Sequence, residues 1–117
     1  MTRLQTLRRD DGAVTVEAAI ALASIVTVVV LCVGAIVAAS VQIRCIDAAR
    51  EAARLAARGD GTAVAVAGRI APSDADVAVR DDGGFVVATV RARVPLLPLL
   101  ELSADAVAAR EPEGAGE

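Results

Sequence analysis

Charge disappears from the chain between Ala18 and Ile43, where 26 consecutive residues are apolar or small and polar. As a helix this run rises about 39 Å at about 1.5 Å per residue, more than the roughly 30 Å of a hydrocarbon core, so it predicts one transmembrane helix. The pattern changes at Arg44. Asp47, Arg50, Glu51, Arg54 and Arg58 recur three and four positions apart, with Ala49, Ala52, Ala53, Leu55, Ala56 and Ala57 between them. That period continues the same helix outside the membrane. One side is wet, where Asp47–Arg50 and Glu51–Arg54 can pair for a few tenths of a kcal/mol each, and the other is a flat alanine face. Gly59-Asp60-Gly61 ends the helix.

Thr62 then stands as the N-cap of a short helix through Ala71, with Val64, Ala67, Gly68 and Ala71 on its inward side and Pro72-Ser73 closing it. Beyond this the period falls to two. Asp76–Arg80 alternates around Val77 and Val79, Asp81-Asp82-Gly83-Gly84 signals a turn, and Phe85–Val94 puts Val86, Ala88, Val90, Ala92 and Val94 on one face. Pro95 and Pro98 break the run into a loop of leucines, after which Leu102, Ala104, Ala106 and Ala108 mark a third strand. The fold class is an α+β membrane protein: a long N-terminal helix, transmembrane and continuing outside, packed with a short helix and a small three-stranded antiparallel sheet. So small a domain should lean on the alanine face of the long helix for stability. The leucine loop, 96–100, reads either as core or as an exposed contact for other subunits or the membrane surface. Residues 111–117, rich in acids, Gly and Pro, read as a disordered acidic tail.

Composition narrows the chemistry. Alanine (27) and valine (18) dominate, there is no His, Tyr or Trp, and Phe85 is the one aromatic residue. General-base imidazoles and base-stacking surfaces are therefore missing, and two cysteines without histidine do not make a four-ligand zinc site unless carboxylates or a second chain join them. The chain is expected to be no enzyme and to take no metal, cofactor or small-molecule substrate. A net charge of −3 argues against nucleic acid. The acidic pairs Asp74/Asp76 and Asp81/Asp82 read as a helix exit and a turn. Cys32 and Cys45 lie 13 positions apart, about 20 Å along one helix, too far to bond to each other. Cys32 reads as a small lipid-embedded residue, and Cys45 as free or cross-linked to a neighbouring chain. Ser24, Thr27 and Ser40 can bond back to helix carbonyls.

Arg3, Arg8 and Arg9 precede the span, which places the N-terminus inside and the C-terminus outside the membrane. At the junction the chain reads Arg8-Arg9-Asp10-Asp11-Gly12-Ala13-Val14-Thr15-Val16-Glu17. An acid next to an apolar helix is kept cheaply only near water or beside a cation. On a helical wheel Glu17 shares its stripe with Ala21, Ser24, Val28, Leu31, Ala35, Ala39 and Gln42, mostly small or polar, of which Ala21, Ser24, Ala35 and Ala39 form a helix-packing seam, while Leu22, Val26, Val29, Val30, Val33, Val37 and Val41 form a bulky opposite face. A secretory signal cleaved before Val41 and an inert anchor are the competing readings of the same span.

These features resemble the TadE-like minor pilins of tight-adherence (Flp-type) pilus systems, within the type IV pilin class. The stretch Asp47-Ala48-Ala49-Arg50-Glu51-Ala52-Ala53-Arg54 is similar to the D-A-A-R-E-A-A-R run of that family. The resemblance implies a basic leader, residues 1–12, removed by a prepilin peptidase between Gly12 and Ala13. It implies Glu17 as the assembly glutamate, at the fifth position of the mature chain. Ala13 departs from the phenylalanine with which many mature pilins begin. The implied organisation is leader 1–12, long helix 13–58 with span 18–43, extracytoplasmic domain 59–110 and tail 111–117. Implied partners are the membrane, the peptidase, other pilin subunits and pilus-assembly membrane proteins. The implied location is the bacterial cytoplasmic membrane, as a single-pass protein, or a surface pilus that serves cell adhesion. The alternative is a secreted or membrane-anchored small binding domain.

Overall fold

The structure is a computed structural model that describes residues 2–112, with side chains from Arg9 onward. The elements are α1 (Thr2–Ala57), α2 (Ala63–Ile70), β1 (Asp76–Asp82), β2 (Phe85–Val94) and β3 (Leu97–Ala109). They fall into two compact units divided between Ala35 and Ile36. Helix α1 begins at Thr2, so the basic leader differs from the remainder of the helix by charge and not by backbone conformation.

In the first unit α1 is apolar on every side beyond Glu17. Val14, Ile20, Leu22, Ile25, Val28 and Leu31 are all exposed, and none of the described residues covers them. A helix apolar all round belongs in a protein interior or a membrane. Among the described residues, α1 is the one helix long and apolar enough to cross a bilayer.

In the second unit the same helix has a face. Val41, Cys45, Ala48, Ala49, Ala52, Ala53 and Ala57 are buried, a stripe at three- and four-residue spacing. They pack with Ala88, Val90, Ala92 and Ala104 of the sheet and with Ala67 and Ala71. Eleven of the sixteen buried apolar residues described are alanine. Each methyl group yields only about 0.8 kcal/mol on burial, so this core works by close approach and not by bulk. The helix ends one residue before the expected Arg58. Gly59, at φ 75°, donates its amide to Ala56 (2.9 Å) while Asp60 donates to Leu55 (3.0 Å), the paired bonds of a Schellman stop that needs a left-handed residue.

Helix α2 differs from expectation in two ways. Thr62 makes no side-chain cap. Its amide and hydroxyl instead donate to Asp60 Oδ1 at 2.9 and 2.7 Å, so the aspartate fixes the turn before the helix. The inward side is Ala63, Ala67 and Ala71, whereas Val64 and Gly68 face out. Small side chains at these positions let α2 lie close to the core formed by α1 and the sheet. Arg44 closes the other end of α2: Nε donates to Ile70 O (3.2 Å) and Nη2 to Ala71 O (3.0 Å).

The sheet has the expected order β1-β2-β3, antiparallel throughout. Gly83 and Gly84 both have positive φ between the paired Asp82 and Phe85, the two-residue turn whose twist matches its strands. Val86, Ala88, Val90, Ala92 and Val94 are buried, and Ala104 with them. The leucine loop is corrected: β3 begins at Leu97, which pairs with Val94 across Pro95-Leu96. Neither turn residue has positive φ, so the strands splay, and the register slips until Arg93 meets Glu101. Pro98, Leu99 and Leu100 are the surplus residues. The tail is corrected at its start, since Glu111 N donates to Ala57 O (2.9 Å) and its carboxylate meets Arg58 Nε (3.4 Å). The rest of the proposed disordered tail, 113–117, lies outside the described residues.

The inward face of α2 is testable. Ala67→Leu should destabilise the detergent-solubilised chain by about 1–3 kcal/mol through overpacking. Val64→Ala should stay within about 0.5 kcal/mol, as exposed positions do. Denaturant unfolding followed by circular dichroism reads both, and a larger loss at Val64 would restore the face expected from sequence.

Candidate functional site

The first cluster of candidate residues lies in the first unit. Gly12, Ala13 and Glu17 occupy two successive turns of α1, all exposed. A Cβ built on Gly12 meets nothing within 4 Å, and its φ is not positive. Neither packing nor backbone conformation within this chain asks for a glycine there, although glycine costs a helix about 1 kcal/mol relative to alanine. Thr15 Oγ1 donates to Asp11 O (2.8 Å), four residues back. Ala21, Ser24 and Ala35 continue the exposed stripe, and the Ser24 hydroxyl is satisfied by Ile20 O at 2.8 Å. Thr27 and Ser40 bond back to Ala23 and Ile36 in the same way. The hydroxyls of the span are therefore satisfied within the helix, and the stripe offers small size instead of free donors.

The second cluster lies in the second unit. Ala39 is exposed near the start of its helical part. Of the two expected ion pairs, Glu51–Arg54 forms with both nitrogens engaged, Nη2 to Oε1 at 2.5 Å and Nε to Oε2 at 3.0 Å. The Arg54 guanidinium holds the Glu51 carboxyl below its usual range. The Asp47–Arg50 pair is corrected: among the described residues these two side chains stand exposed without an ion pair. The alanines of the same motif are the inner wall of the domain, Ala48, Ala49, Ala52 and Ala53. The motif thus reads as a packing face backed by one surface clamp. Its solvent side leaves Asp47 and Arg50 available to other molecules.

Three ties escaped the sequence because their partners are remote. Gln42 Nε2 donates to Ser103 O (3.2 Å), Arg44 caps α2, and Arg110 pairs with Asp81 across the sheet end. Sequence supplies only a weak signal for them: polar residues placed just where an apolar run stops. Cys45 is corrected as well. It is fully buried beside Ala48 and Ala49, which removes it as a cross-link to a neighbour, and burial pushes its thiol up. Cys32 is exposed on the apolar helix. Among the described residues no three acidic or cysteine side chains gather as a metal site would require.

The TadE-like protein family model matches residues 12–54, a stretch that starts at Gly12 and ends at Arg54. A Mycobacterium tuberculosis protein named "Apoptosis inhibitor Rv3655c" is 58% identical over 97 residues, covering 82% of this chain and 78% of that protein. No solved structure matches.

Cysteine reactivity tests the packing of the motif. In a Cys32→Ala variant of the full chain, Cys45 should react with iodoacetamide at least about tenfold more slowly when folded than when denatured, because the thiol is both shielded and less ionised. Equal rates would mean that the alanine face is open.

Proposed function

This chain belongs to the TadE-like family, and on that premise we propose that it is a non-catalytic, minor pilin-like subunit or assembly factor of a tight-adherence (Flp-type) pilus. Residues 18–43 cross the cytoplasmic membrane, with the N-terminus inside and the domain 59–110 outside. A prepilin peptidase removes residues 1–12, cutting between Gly12 and Ala13. The chain is the peptidase's substrate and is handled by other membrane proteins of pilus assembly and by other pilin subunits.

The observation that carries this reading is the pair formed by an unexplained glycine and a lone acid. Gly12 serves no packing or turn within the chain, as is also true of Gly34 and Gly68, so it is its place five residues before Glu17 that suits a residue read by another protein. Glu17 is the one acid or base between Asp11 and Arg44, exposed on a helix otherwise apolar. A cut after Gly12 would free the Ala13 amine, a cation at the membrane surface, and Glu17 of a neighbouring copy is its natural counter-ion. Left unpaired, a carboxylate costs about 2.5–3.5 kcal/mol at the bilayer centre, and less toward the interface. Pairing between copies therefore sets their axial offset. The small stripe Ala21, Ser24, Ala35 and Ala39 lets a second helix come close enough for it. The exposed Asp47 and Arg50 give the extramembrane helix a polar face for the same neighbours.

The mycobacterial relative's name favours a second reading, in which the chain is a membrane-anchored or secreted small domain that inhibits apoptosis. In that reading the effect comes from binding.

Replacing Glu17 separates the two. Glu17→Ala in the native host should leave trimming of the leader intact and abolish co-purification with pilus components, since cleavage reads the sequence at Gly12 and register reads the acid. Unchanged association of that variant would remove the assembly role. Inhibition of cell death by Glu17→Ala equal to that by the unaltered chain would favour the second reading.

A further inference from the structure

We propose that the hairpin joining β2 to β3, residues 95–100, is a second membrane contact, seated in the lipid interface beside the end of the span. This rests on the reading of residues 18–43 as a transmembrane helix. Leu96, Leu97, Leu99 and Leu100 are 60%, 48%, 102% and 41% exposed, and no charge occurs between Arg93 and Glu101. So many leucines at one tip, in a domain whose own core is mostly alanine, are not needed for its packing.

Their position identifies lipid as the occupant. Strand β3 runs in the same sense as α1 within the domain. Ser103 is tied to Gln42 by a 3.2 Å bond, and Glu111, just past the strand's other end, to Ala57 by a 2.9 Å bond. Ser103 is the register partner of Arg91, and the hairpin continues from Arg91 to Val94 before it turns. Those three residues advance about 10 Å at about 3.3 Å each, which equals between six and seven residues of helix at about 1.5 Å each. The leucine tip is thus level with about Ile36, several residues inside the apolar run that ends at Ile43. Arg93 and Glu101, paired in register, are the first charges behind the tip. If the span is in the bilayer to Ile43, the tip is in its interface. A second copy of the chain is the competing occupant, but it gives no reason for the tip to share the depth of the span.

The chain lacks Trp and Tyr, so one introduced tryptophan reports alone. The full-length chain carrying Leu99→Trp is reconstituted in vesicles of phosphatidylcholine and phosphatidylglycerol, with and without bromine on the acyl chains. Val28→Trp marks the span and Val107→Trp marks the outer sheet face. The expected result is blue-shifted, bromine-quenched emission from Leu99→Trp and Val28→Trp, with Val107→Trp unquenched. Unquenched, water-like emission from Leu99→Trp while Val28→Trp is quenched overturns the proposal and leaves the span standing. Blue-shifted but unquenched emission also overturns it, in favour of a protein contact. An unquenched Val28→Trp overturns the span and the hairpin together. Leu96→Trp, on the same exposed turn, repeats the reading should Leu99→Trp lower the yield of folded chain.

Discussion

One helix has to satisfy two surroundings, and the change between them governs the rest of the structure. From Ala18 to about Ala39 the side chains of α1 are exposed on nearly all sides and uncharged, a surface that is stable only where water is absent. From Val41 onward one face turns inward and is built of Cys45 and alanines, while the opposite side carries Asp47, Arg50, Glu51 and Arg54. Small side chains on the inner face result from this division of labour. They let the sheet approach the helix closely, and dispersion contacts at short range replace the bulk that larger side chains would bring.

A domain with so little bulk is held to its helix by polar ties at its ends. Gln42 and Arg44, on either side of the span's last residue, grip β3 and the end of α2. At the far end the backbone of Glu111 closes on Ala57, and Arg58 meets the Glu111 carboxylate. The sheet is thereby fixed in register along α1, which sets the depth of the leucine hairpin.

Much of this architecture was legible in the sequence, because two periodicities are nearly uninterrupted. The limits of β2 come from strict alternation at Phe85–Val94, its turn from Gly83-Gly84, and the stop of α1 from Gly59. What was not legible depends on distant partners or on geometry that residue type does not fix. Pro98 and its leucines read as a loop, yet β3 starts at Leu97, because a negative-φ turn at Pro95-Leu96 forces a register slip that local pattern does not encode. By hydrophobicity Val64 is the inward residue of α2, but the fold turns the alanines inward. Cys45, outside the span, reads as available for cross-linking, and only the fold places it under the sheet. At the candidate site the spacing from Gly12 to Glu17 and the D-A-A-R-E-A-A-R run led to the family, whereas the absence of an Asp47–Arg50 pair required coordinates.

In the proposed function the chain works only after its leader has gone, when the new amino end and Glu17 face each other across two copies. The N-terminal residue of the mature protein, determined on material from its native membrane with the prepilin peptidase active, tests this most directly. Ala13 is the expected first residue. Met1, Thr2 or Val41 in its place would remove the pairing of the new amine with Glu17.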